Sequence, residues 1–496
     1  MTSSKAPVLA AVLALACGGS SGSGEKEAPP PDRAVTVRSD VTWWQADGTK
    51  VMGAPGFQGT TVASVLVPDA TGYRTISGTT NGDGSRSFAA VPAGTFFVQM
   101  DLRADGGAVW LYETSSSDVD LGWDRQGRIG HLYATGATPV HLDLTGLDSW
   151  DTTWDYADVF SAGIGAYSLL FGSAMGNAPA PGATTATQTV DWSTLWNTGL
   201  PDGTAGDVTC VTQMKRQSLP VAGLGYYRSA YRNACSSSIT ITSNATLAAS
   251  LAAVPQTGSV TLDVRPSAFG ALLHDLHPSA TADAMQIDLR AATPTIDFPA
   301  PFGATPSMLT LWFALPAPDA VEGPLAHGQY LGPSWKEYMN VRYFAQAALS
   351  ADGVASPVAY GLTTWHSGPV GATVVAAPLL GPARSPMVNG QNAFQRLAGV
   401  GLTPTLSWSA PSVGTATDYR LGIDELSVTG GSTVARSLLV AYVHGTSFKV
   451  PAGVLAAGKT YAARLVARYR PWDTGSPERS GVPQGQSPCL LGPFSP

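Results

Sequence analysis

Short apolar segments that alternate with polar positions, broken by Gly, Pro and Asn/Asp, recur along most of the chain and predict strands joined by turns. Phe96, Val98, Met100 and Leu102 alternate with Gln99, Asp101 and Arg103, the period of a strand with one buried face. The same period of two runs through Val260, Leu262, Val264 and through Met285, Ile287, Leu289. Further strands are expected at Val35–Val37, Val41–Trp43, Thr60–Val67, Asp207–Met214, Ile239–Thr242, Met308–Leu315 and Val341–Leu349. Asn81-Gly82-Asp83-Gly84 offers the positive-φ residues of a tight hairpin. One short helix fits Ser267–His277, with Ser267 as its cap and Phe269, Leu272, Leu273 and Leu276 on one face.

Composition agrees with this pattern. Charged residues make up 13% of the 496 residues, against about a quarter in a typical globular chain. With 44% hydrophobic residues, 55 Gly and 37 Pro, the chain has the makings of many strands and turns, and too few charges for disorder. The fold class expected is all-β, in several domains. At roughly 150 residues per domain, the length suggests about three. The net charge of −7 comes without any basic run, which excludes a nucleic-acid footprint.

The N-terminus carries the strongest local signal. Lys5 precedes the apolar run Ala6–Ala16, which has secretory length and is too short to span a bilayer. It ends in Ala14-Leu15-Ala16-Cys17, and a Gly/Ser-rich stretch comes next. This resembles a bacterial lipobox, although the family more often has Leu where Ala14 stands. The resemblance implies removal of residues 1–16, diacylglycerol on Cys17, a flexible tether over 17–33, and membrane attachment through the lipid. Gly18, in place of Asp, points to the outer membrane.

Two other segments also resemble known families. The turn at 81–84, Phe88 and Val91-Pro92-Ala-Gly94-Thr-Phe96-Phe-Val98 are similar to the carboxypeptidase regulatory-like, prealbumin-type β-sandwich over 34–105, with Phe96 replacing the usual Tyr. That family implies a spacer or adhesive module. Trp408 and Leu455-x-x-Gly458-x-x-Tyr461 resemble a fibronectin type III domain over 391–496, in which Tyr461 would bond upstream backbone. Between them, 106–390 is read as a larger β-rich domain of unspecified type.

Candidate chemistry is sparse. Export would place Cys210, Cys235 and Cys489 in an oxidising compartment; three pairings are open, and Cys210–Cys235 is the local one. Trp150, Asp151, Trp154 and Asp155 mix aromatic faces with carboxylates and form the candidate ligand-binding segment. Gly453–Thr460 matches the phosphate-loop pattern, but the residues after it alternate like a strand, so nucleotide binding is not expected. Gly18–Gly22 matches a serine-hydrolase pattern inside the tether, where no elbow can hold the serine. His274 and His277 end a helix, where its dipole favours positive charge, and no metal site is assigned to them. No cofactor and no catalytic set emerges. The expected function is a non-enzymatic, lipid-anchored envelope protein with a structural or binding role, built of end-to-end sandwiches. A carbohydrate-active enzyme or glycan-binding protein, with 106–390 as its active part, is the alternative.

Overall fold

The computed structural model describes residues 32–496, apart from 48, 56–61, 71, 103–106, 196–198, 220–223, 293–304, 333, 352, 368–372 and 472–482. Cys17, the tether and the Gly18–Gly22 motif lie outside the described residues. The chain is all-β, as expected: 59% strand and 5% helix, in several sheets. Among the described residues, no helix is long and apolar enough to cross a membrane.

The alternating strands bury their apolar faces in four large clusters, each filling a two-sheet sandwich. In the first sandwich, Val35, Val37 and Phe88 of Arg33–Arg38 and Arg86–Val91 face Val65, Phe96 and Val98 of Val62–Pro68 and Phe96–Asp101. Its hairpin forms as a loop over Asn81–Ser85, in which Gly84 alone of the turn glycines takes a left-handed φ, +82°. Asp83 braces the loop by accepting from the Ser85 backbone N–H at 2.9 Å. Val109–Thr114 and Asp118–Asp120 also belong to this sandwich, so its strands run past residue 105.

The stretch read as one middle domain carries two cores. Pro139–Thr145 and its partner strands pack on Tyr156–Ser161, Ala166–Gly172, Thr209–Ser218 and Tyr226–Ser236 around Leu142, Trp192 and Val211. Gly258–Val264 and its partners pack on Thr281–Ala292, Ser307–Ala314, Lys336–Ala351 and Val354–Ser367 around Leu262, Ile287 and Val341. Ile239–Thr242 contributes only an isolated bridge, Asp202 to Thr240, rather than a strand. The single helix becomes two, Pro266–Gly270 and Leu273–Leu276. Ser267 caps neither; it sits in the first turn, and its backbone N–H and hydroxyl donate to Asp319. The C-terminal sandwich sets Arg384–Val388 and Thr405–Ser409 against Asp418–Thr429, Ser432–Val443, Thr460–Tyr469 and Gly485–Ser495.

One 18-stranded sheet threads all four sandwiches. Val109–Thr114 pairs in parallel with Ser432–Val443, joining the first sandwich to the last. Gly485–Ser495 pairs with Val354–Ser367, and Ser307–Ala314 pairs with Tyr226–Ser236. The order in space is therefore first, fourth, third, second. The second sandwich also meets the connection after Trp123–Gln126, where Arg128 grips Asp207 with two nitrogens and the Arg128 N–H donates to the Gly163 carbonyl. Strand pairing between segments distant in the chain thus sets the sandwiches beside one another in an order that differs from their order in sequence. The pairing also covers faces that alternation alone would leave to solvent. Phe97 enters the C-terminal cluster, where its ring meets Phe448 at 5.8 Å. Arg468, on the face of its strand opposite Leu465 and Ala467, is 6% exposed.

Candidate functional site

The structure separates the four residues of the candidate ligand-binding segment. Trp150 is 2% exposed and packs on Phe171 in the second core. Asp155 is buried and locks the loop, accepting from the Asp151 N–H at 3.1 Å and Gln213 Nε2 at 3.2 Å, with Lys215 at 3.7 Å. Burial pushes its carboxyl up against these contacts. Asp151 accepts from the Thr153 N–H. Only Trp154 presents a partly exposed ring, which meets Tyr226 at 4.2 Å with the Arg216 guanidinium 5.1 Å away.

Trp154 and Asp155 line a hollow of about 230 Å³ together with Asp288, Arg290 and Trp312. Glycoside hydrolysis needs two carboxylates open to substrate. Asp288 is 1% exposed and is committed to Thr310 Oγ1 at 2.9 Å, Gln286 and Arg342. Nearby Asp158 is fully buried, its carboxyl pushed up to about 7 by burial and partly drawn back by the Tyr167 hydroxyl and Arg290. These acids hold the junction of the second and third sandwiches.

A larger cleft, about 620 Å³, opens where the first sandwich, a small three-stranded sheet and the second sandwich meet. The small sheet comprises Asp40–Trp44, Lys50–Pro55 and Trp123–Gln126. Parallel register sets Arg125 opposite Trp43, and its guanidinium lies 5.4 Å from that indole and 5.9 Å from Trp123. Trp110 and Tyr112 line the cleft from the first sandwich, and Tyr133 from the connection to the second. Behind Trp43, His131 lies edge-on at 5.5 Å; its Nδ1 bonds the Arg128 carbonyl, and burial pushes its pKa down.

Two glycines allow the walls to close. Gly165 has φ +63°, and a Cβ there would lie 2.3 Å from the Gln126 carbonyl oxygen; Gly127, φ +108°, meets the Ile164 backbone in the same way. Gln126 lines this cleft and is 5% exposed, yet neither polar atom of its carboxamide has a partner among the described residues. Sequence reading missed this site, because its walls come from segments near 43, 110, 123 and 165. The available signal was tryptophan on three separate strands.

The strand Thr460–Tyr469 begins where the phosphate-loop match ends, and Lys459 pairs with Glu425 at 3.0 Å. The Tyr461 hydroxyl accepts from the Ala456 N–H at 2.8 Å, the upstream backbone contact expected of it. His277 bonds Ser279, and among the described residues no three His, Cys, Asp or Glu converge as a metal set. Cys210 and Cys235, directly opposed on neighbouring strands, form the disulfide, leaving Cys489 a buried thiol that burial pushes far up.

No family model and no curated protein matches the chain. Among solved structures, the Bacillus anthracis TIE protein aligns at 8% identity and a TM-score of 0.12, over 69% of this chain and 50% of that one. The chain thus spans half the length of that protein. A biofilm-associated protein BSP domain aligns at 8% identity and a TM-score of 0.10, over 95% and 99% of the two chains. What stands established is a β-sandwich-rich, all-β chain carrying one disulfide.

Proposed function

We propose that this chain is a non-enzymatic binding and display protein of the bacterial cell envelope, held to the outer membrane by lipid on Cys17. The observation that carries the reading is the sheet that joins four sandwich cores into one scaffold. Such a body suits presentation of a surface. Reach is the task of the tether over 17–33. The Cys210–Cys235 disulfide supports export. The Tyr461 contact with Ala456 and the buried Trp408 support a fibronectin type III-like module over 391–496. The Asn81–Ser85 hairpin and the strand Phe96–Asp101 support a carboxypeptidase regulatory-like module near the N-terminus. The enzymatic alternative finds less support, because Asp155, Asp158 and Asp288 are all buried and bonded.

Expression of the whole chain with labelled palmitate tests the anchor. The wild type should take up label, enter the detergent phase on extraction and lack residues 1–16 by mass spectrometry, while Cys17→Ala should do none of these. An unlabelled wild-type chain in the aqueous phase with Met1 still attached would defeat the reading.

A further inference from the structure

We infer that the cleft walled by Trp43, Trp110, Trp123 and Tyr133 binds a neutral oligosaccharide, with Gln126 as its hydrogen-bonding residue. Every aromatic side chain lining the cleft is Trp or Tyr. Their faces carry negative potential, which suits the polarised C–H face of a pyranose ring, and their polar edges tolerate a wet ligand. Arg125 lies against both Trp43 and Trp123 and holds their planes. Few convergent polar groups in a mostly apolar cleft at a module boundary is the usual build of a small-molecule site.

Gln126 decides between ligand chemistries. Its carboxamide offers two donors and an acceptor, none of them used within the described protein. Both atoms are enclosed at the cleft wall, so the carboxamide turns toward the ligand on binding; neighbouring sugar hydroxyls both donate and accept, and can then meet all three. An acyl chain would fill the same aromatic space and leave the amide unpaired. With Arg125 and Asp124 both at the cleft, opposite charges are present and neither sign is selected.

The test is titration of the full chain in detergent with cellohexaose, chitohexaose and mannohexaose, read by calorimetry and tryptophan fluorescence. At least one sugar should bind saturably. Gln126→Leu should weaken binding by about tenfold, the worth of roughly one good hydrogen bond. Trp123→Ala should weaken it at least as much, while Trp123→Phe retains most of the affinity. Trp312→Ala, whose indole is exposed outside this cleft, should change nothing. If Trp123→Ala fails to fold, Gln126→Leu and Trp123→Phe carry the test. Absence of saturable binding by all three sugars overturns the inference. So does sugar binding indifferent to Gln126→Leu, or filling of the cleft by the apolar dye ANS that no sugar displaces. Binding in the cleft does not depend on acylation of Cys17, so anchor and cleft succeed or fail separately.

Discussion

Asp158→Asn should stabilise this protein at neutral pH, and by an amount that grows with pH. Asp158 lies in Tyr156–Ser161 with no exposed surface, and its carboxyl accepts from the Tyr167 hydroxyl at 3.2 Å. Burial raises its pKa from the ordinary 3.8 to about 7, against the pull of Tyr167 and Arg290. The folded carboxyl therefore holds a proton that the unfolded chain releases between these two values. Folding stability must fall as pH rises from about 4 to about 7 and level off above. At about 1.4 kcal/mol per pH unit, the group costs about 4 kcal/mol once the plateau is reached. Asparagine fills the same space, still accepts from Tyr167 and carries no charge to desolvate. Urea unfolding at intervals from pH 4.5 to 8, monitored by circular dichroism, should show the variant close to wild type at the acid end. Its advantage should then widen steadily up to about pH 7. Parallel curves for the two proteins across that range, or a wild type more stable than the variant at pH 8, would refute the reasoning. Asp158 would then be an ionised partner of Arg290.

Buried contacts elsewhere lead to two more expectations. Asp418, 1% exposed, accepts from Arg468 at 2.6 Å and Arg470 at 2.8 Å, so Asp418→Asn takes the carboxylate away from two buried guanidiniums and should cost about 3–5 kcal/mol in urea unfolding near pH 7. Burial pushes that carboxyl up, but the two guanidiniums outweigh it and hold it below 3.8, so the gap between variant and wild type should persist above about pH 4 and close as acid protonates the folded carboxyl. Gly165→Ala should cost more than the ~1–2 kcal/mol of a left-handed alanine, because its Cβ meets the Gln126 oxygen at 2.3 Å, whereas Gly176→Ala, with open space around it, should cost only that; equal losses of melting temperature in the two variants would contradict the close approach.

Much of the local structure was legible in the chain. Alternation placed Val260, Leu262 and Val264 in a core and set Phe96, Val98 and Met100 facing inward, because the strand period is encoded by neighbouring residues. The Tyr461 corner was legible for the same reason, since its partner Ala456 is five residues away. Sequence left three cysteine pairings open, and strand register decided among them by setting Cys210 opposite Cys235.

Burial of the second face was not legible. Phe97, Arg468 and Asp155 sit at positions that alternation assigns to solvent or to a loop, and each is covered by an element far away in the chain. The same physics hid the cleft: Trp43 reads as an ordinary strand residue, Trp110 and Trp123 fall in the stretch of unspecified type, and only sheet pairing and the glycine contact at 165 bring them round Gln126. From sequence alone, then, came the all-β class, a minority of the strands and which face of each of those is apolar. Tertiary structure alone decided the order of the sandwiches, the pairing that sets Val109 beside Leu439, and the cleft. Periodicity is a property of adjacent residues, whereas a β-ladder's hydrogen bonds carry no record in sequence of which distant backbone will complete them.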